Sequence, residues 1–222
     1  MHPFLEFARS TDLYRSLCQR DAGGDGNLLE RTDEQTAAAQ LEFLRWAFQL
    51  SAPQIVLETG TNKGLFAYLL SLIGSGITLY TFDCDPRSAE SVALLNRSQS
   101  RVRAHFYPGD SRETLRAFSE RADFAWIDGG HDWSIALSDL LHCYRLRIPY
   151  VAVDDTAFPS VAEAVTYVVE HTPYEQLPNP FRKDDRRGAL LLQLNEARPP
   201  SPSSEFSPAC EMSAGSFTVL QP

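Results

Sequence analysis

The chain has 222 residues, 43% of them hydrophobic and 22% charged, with a formal net charge of −9. That length suits one domain with a sizeable core, expected over residues 1–196, with a helical cap at 1–50 and a Pro/Ser-rich tail at 197–222. The acidic balance excludes a general nucleic-acid or anionic-membrane binder, which would present a basic surface.

In chain order, a short helical pattern near Phe4–Arg20 is followed by the Gly/Asp-rich break at Asp21–Gly26. Thr32 and Gln35 have capping-box spacing ahead of an alanine-rich helix over Glu34–Leu50. Leu41, Leu44, Phe48 and Trp46 are its core-facing residues, and Pro53 blocks its continuation. Apolar, β-branched runs then occur at Gln54–Glu58, Thr78–Asp83, Val102–Tyr107, Asp123–Asp128 and Tyr150–Asp154. Helical stretches alternate with them at Gly64–Ile73, Ser88–Asn96, Arg112–Phe118, Ser134–Arg145 and Ser160–His171. Strands alternating with helices imply right-handed βαβ units and a parallel sheet covered on both faces. Tyr174–Leu177 and Ala189–Leu194 have no helix between them and predict a closing strand pair. Phe217–Leu220 is a further candidate strand within the tail.

The cysteines at 18, 84, 143 and 210 form no C-x-x-C pair, so neither a zinc pattern nor a disulfide framework is expected. Cys84 and Cys143 read as small buried thiols. No signal-peptide profile or membrane-length apolar run is present, which sets a cytoplasmic expectation. A homo-oligomer is compatible with the sequence.

The first strand runs into Glu58-Thr-Gly-Thr-Asn-Lys-Gly64 and then into an amphipathic helix. Gly60 allows a tight turn and a close approach to a ligand, and Gly64 allows close helix–strand packing. Such a glycine pair alone also fits an ordinary turn. Glu58 stands where a pyrophosphate site would place glycine, and its carboxylate suits a cationic cofactor with an amino group. Asp83 ends the second strand, where an acid can accept both ribose hydroxyls, and Asp110 and Ser111 follow the third. These polar strand ends outline a nucleoside pocket at the carboxyl edge of the sheet.

Strand four closes as Trp126-Ile-Asp-Gly-Gly-His-Asp-Trp133, and strand five as Val151-Ala-Val-Asp-Asp-Thr156. Neighbouring strands would gather Asp128, Asp154 and Asp155, which repel one another unless a cation or protons intervene. An all-oxygen set favours Mg²⁺, Mn²⁺ or Ca²⁺ over zinc. Successive strand residues face opposite ways, so sharing one ion requires a bend at Asp154–Asp155. The same acids could instead cap loops. His131 reads as a base for a hydroxyl proton or as a turn residue, and Asp128 is the alternative base. An adjacent cation and the following helix N-terminus would lower the His131 pKa. Trp126 and Trp133 are expected in core and pocket wall, and the Arg182–Arg187 run as a solvated loop or an anion contact.

Leu57–Gly64, Phe82–Pro86 and Gly109–Ser111 resemble successive motifs of the class I methyltransferases, although Asn62 stands where many members have glycine. The Asp128–His131 and Asp154–Asp155 segments are similar to metal-dependent O-methyltransferases, notably the macrocin O-methyltransferase and cephalosporin-hydroxylase-like group. The resemblance implies a Rossmann-like doubly wound, mostly parallel seven-stranded sheet with a C-terminal antiparallel hairpin. It implies S-adenosylmethionine as cofactor, with its methionine part on Glu58, Gly60, Thr61 and Gly64. Asp83 would take the ribose, and Asp110 and Ser111 the adenine. It further implies Mg²⁺ or another divalent ion on Asp128, Asp154 and Asp155, and a small hydroxylated acceptor.

Overall fold

The computed structural model describes residues 2–20 and 33–197. Thr32, the Gly/Asp-rich break, Cys210, the tail strand and nearly all of the tail lie outside the described residues.

The N-terminal pattern forms two helices, α1 (Pro3–Ser10) and α2 (Asp12–Cys18), rather than one. Thr11 divides them: its backbone is extended, and its hydroxyl accepts the Tyr14 N–H as the cap of α2. Helix α3 (Glu34–Ser51) starts at Glu34 as expected, with Asp33 as the cap that accepts the Thr36 N–H. Ala52 ends it in the left-handed region, immediately before Pro53. Leu41, Leu44 and Phe48 are buried as expected, and Trp46 packs against the same core.

Five βα units follow: β1 (Ile55–Thr59), α4 (Leu65–Ile73), β2 (Ile77–Asp83), α5 (Ser88–Ser98), β3 (Val102–Pro108), α6 (Ser111–Ala117), β4 (Phe124–Ile127), α7 (Trp133–Arg145), β5 (Tyr150–Val153) and α8 (Pro159–His171). The chain closes with β6 (Tyr174–Leu177) and β7 (Leu190–Leu194). The seven-stranded sheet has the order β3-β2-β1-β4-β5-β7-β6. Pairings from β3 to β5 are parallel, and β7 is antiparallel to both β5 and β6. This is a Rossmann-like, doubly wound arrangement closed by an antiparallel hairpin.

Side-chain alternation divides the core. Val56, Leu79, Phe124, Trp126 and Ala152 face the side covered by α1–α4. Leu57, Phe82, Ile127 and Val153 face the side covered by α7 and α8. Continued one step further, this alternation places Glu58 on the α3 side and Thr59 on the α7 side. The strand order reverses around β1, so the crevice opens beyond the carboxyl ends of β1 and β4.

Gly60 is required here by close approach within the protein. Its φ is +88°, and a Cβ there would sit 1.9 Å from the Asp128 carbonyl oxygen. The nearest atom to a Cβ on Gly64 is Ser91 Cβ at 3.5 Å, so its φ of +75° is its main constraint. That contact lies on α5, not on a strand. Gly64→Ala should therefore destabilise by about 1–2 kcal/mol, the usual range for a strained left-handed residue. Gly60→Ala should lose more than about 3 kcal/mol or fail to fold, since backbone must move. Urea denaturation checks the ranking, and equal losses would contradict it.

Candidate active site

A cavity of 720 Å³ lies over the ends of β1, β2 and β4 and beneath α3. Glu58, Gly60, Thr61, Asp83, Gly109, Asp110 and Ser111 line one end of it. Gly64 is outside the lining and acts through the turn that precedes α4. Asp128, His131, Asp155 and Arg187 line the other end.

Glu58 is 1% exposed. The register pairs it with Thr81, whose hydroxyl donates to its Oε2 at 2.5 Å. Thr61 Oγ1 also lies 2.5 Å from Thr81 Oγ1, completing a buried polar chain. Burial pushes the Glu58 carboxyl up to about 8 despite that hydrogen bond. Asp83 is committed to the turn itself. Its Oδ2 accepts the Asn62 N–H at 2.6 Å, and its Oδ1 accepts the Asp85 N–H at 2.8 Å. Asn62 is left-handed at φ +48°, a conformation asparagine tolerates better than most residues, so the missing glycine has a local remedy. Asp110 caps α6 and forks onto Arg112, whose hydrogen bonds hold its carboxyl below the usual range.

At the β4 and β5 ends, ligand atoms of Asp128, His131 and Asp155 lie within 4.8 Å of one another. Asp155 supplies the bend the sequence required, at φ +56°. Its two oxygens receive Arg187 Nε and Nη2, each at 2.6 Å, and His131 Nε2 lies 3.0 Å from Oδ2. Asp154 stands outside that trio. Its Oδ1 accepts from Gln40 Nε2 at 3.0 Å and from the Asp155 N–H at 2.8 Å. Burial, followed by the charge of Asp155, pushes its carboxyl up to about 7. Burial, then Asp154 and Asp155, also raises Asp128 well above the carboxylate range. The hydrogen bond to Asp155 raises the His131 pKa, opposite to the lowering expected beside a cation.

These residues fit a divalent ion. The trio offers converging ligands, and the Asp128 carboxylate makes no hydrogen bond among the described residues. One imidazole nitrogen among the donors makes Mn²⁺ as suitable as Mg²⁺.

Two polar residues on helix faces escaped the sequence reading. Gln40 lies on the buried stripe of Ala37, Leu41 and Leu44, and Asp139 on that of Ala136, Leu140 and Cys143. A polar residue at a core-facing position was the available signal. Neither Asp139 oxygen has a partner at hydrogen-bond distance among the described residues, and burial pushes its carboxyl up to about 6. Other expectations are corrected by exposure. Cys84 is exposed because it follows β2 in the loop, whereas Cys143 is buried. Trp126 is a core residue, but Trp133 is 39% exposed and packs edge-on against Tyr167 outside the cavity. Arg187 of the charge run binds Asp155 and is neither purely solvated nor free for an anion.

Residues 57–155 match a family model described as a methyltransferase domain. Over this segment the chain is similar to methyltransferase domains. No curated protein sequence matches the chain. Among solved structures, one from Staphylococcus aureus, proposed to be a caffeoyl-CoA O-methyltransferase, aligns with TM-score 0.61 and 13% identity, covering 87% of this chain and 97% of that one. The Bacillus cereus O-methyltransferase with S-adenosylhomocysteine (SAH) aligns with TM-score 0.54 and 15% identity, covering 87% and 91%. The N-methyltransferase NodS of Bradyrhizobium japonicum with SAH aligns with TM-score 0.56 and 16% identity, covering 82% and 97%. In motifs and fold the chain resembles the class I S-adenosylmethionine-dependent methyltransferases.

The buried acids predict a pH signature of stability. Burial holds the Glu58, Asp154 and Asp139 carboxyls up at about 8, 7 and 6 in the folded state, against 4.5, 3.8 and 3.8 for the free side chains. The folded state therefore holds protons that the unfolded chain releases, and stability falls as pH rises from about 4 to about 8. Glu58→Gln should remove up to about 1.4 kcal/mol per pH unit of that slope. Chemical denaturation in chelator across that range checks it, and an unchanged slope in the variant would contradict it.

Proposed function

We propose that the protein is an S-adenosylmethionine-dependent O-methyltransferase, assisted by Mg²⁺ or Mn²⁺, acting on a hydroxyl of a small molecule. One observation carries this reading. The cofactor turn at Glu58–Lys63 and the Asp128–His131–Asp155 cluster line the same cavity. When bound, S-adenosylmethionine supplies an electrophilic methyl group on sulfur, and a divalent ion supplies Lewis-acid stabilisation of the acceptor oxygen.

The chain's own residues supply position and proton transfer. Glu58 offers a buried carboxylate to an amino group, while Asp83 shapes the turn beside the ribose position. Asp110 and Ser111 close the adenine end. Asp128 takes the acceptor proton, since its raised pKa makes the ionised carboxylate more basic. Asp155 orients His131 through Nε2. Alignment of two bound reactants then contributes much of the rate. The Arg187 fork on Asp155 favours a second reading, in which no ion binds and the acids orient the acceptor directly.

Asp128→Asn should lower SAH production from a panel of hydroxylated acceptors by about 10²–10⁴-fold. SAH binding, measured by calorimetry, should persist in the variant. EDTA should abolish turnover, and Mg²⁺ or Mn²⁺ should restore it. Full turnover in excess chelator, with no metal in the purified protein, would favour the second reading.

A further inference from the structure

We propose that Arg187 is the resident counter-cation of the acidic cluster and that it competes with a divalent ion for Asp155. The inference rests on the metal-assisted reading given above. Arg187 places one guanidinium nitrogen on each Asp155 oxygen, and His131 shares Oδ2. With this fork closed, both Asp155 oxygens already receive a guanidinium nitrogen. A guanidinium and a divalent ion on one carboxylate also repel each other.

Arg187 is anchored by its backbone independently of its head group, whose partner among the described residues is Asp155. Asp185 accepts the N–H groups of Arg187, Gly188 and Ala189 at 3.1, 3.0 and 2.7 Å. The Arg187 carbonyl accepts the Ala157 N–H, and the Gly188 carbonyl accepts from both the N–H and the hydroxyl of Thr156. These bonds tie the β6–β7 connection to the segment after β5. The guanidinium itself lines the cavity with its side chain 33% exposed, so it has room to swing while the loop stays fixed.

The surrounding charges explain why a cation is kept there. Asp128, Asp154 and Asp155 all act on Arg187 electrostatically, and Glu58 acts on Asp128 from β1. His131 is the other nitrogen donor beside it, and it too is held by Asp155. A fixed guanidinium neutralises Asp155 when no ion is present, and an ion that replaces it takes over that role. Metal affinity then becomes a difference between two cations rather than the intrinsic affinity of three ligands.

The test is Mn²⁺ binding to the full chain, followed by the electron paramagnetic resonance signal of the free ion. Arg187→Gln should bind Mn²⁺ about tenfold or more tightly than the wild type, the size of an ordinary coupling between two sites. In the wild type, the Arg187 Nε–H nuclear magnetic resonance signal, assigned by its loss in Arg187→Gln, should shift on Mg²⁺ titration. This second measurement decides the matter even if the variant folds poorly. Equal or weaker Mn²⁺ binding by a folded variant, or an Arg187 signal unmoved at Mg²⁺ saturation, overturns the competition and leaves the metal reading standing. No Mn²⁺ binding by either protein overturns both.

Discussion

Parallel strands end together, and in this protein the ends of β1, β4 and β5 carry four acids between them. Glu58, Asp128, Asp154 and Asp155 are carried to one edge by β1, β4 and β5, where burial and mutual repulsion oppose their ionisation. The sheet cannot avoid this, because the register that buries Val56, Trp126 and Ala152 also fixes where the acids emerge. The remaining local structure can be understood as compensation. Thr81 donates to Glu58, Gln40 to Asp154, and Arg187 with His131 to Asp155. Asp128 has no such donor among the described residues and faces the cavity. A site built this way is prepared for positive charge.

The same edge carries the turn between β1 and α4. Gly60 passes so close to the Asp128 carbonyl that no side chain fits, which couples that turn to the first acid of the cluster through backbone alone. Asp83 holds that turn from the next strand through the Asn62 amide. The two halves of the cavity therefore share one scaffold, and a disturbance at Gly60 reaches both.

Much of this was legible in the sequence because periodicity and strand-end chemistry are local. The alternation of apolar runs and helical stretches fixed the sheet, and the final strand pair follows from the missing helix between Tyr174 and Leu194. Asp128 and Asp155 could be brought together because neighbouring parallel strands end side by side. Less legible were contacts made across the fold. Arg187 lies 32 positions from Asp155, and Gln40 lies 114 from Asp154. Neither spacing leaves a mark in the chain. The direction of the His131 shift also depended on a partner, Asp155, whose hydrogen bond outweighs burial. Thr11 shows a smaller failure, where one capping side chain divided an expected helix in two.

The most direct test is diffraction from crystals grown with SAH and Mn²⁺, recorded at a wavelength where manganese scatters anomalously. The proposed function predicts SAH against Glu58–Lys63 and an anomalous peak among Asp128, His131 and Asp155, with Arg187 withdrawn from Asp155. SAH bound away from that turn, or no peak while Arg187 still forks onto Asp155, would contradict it.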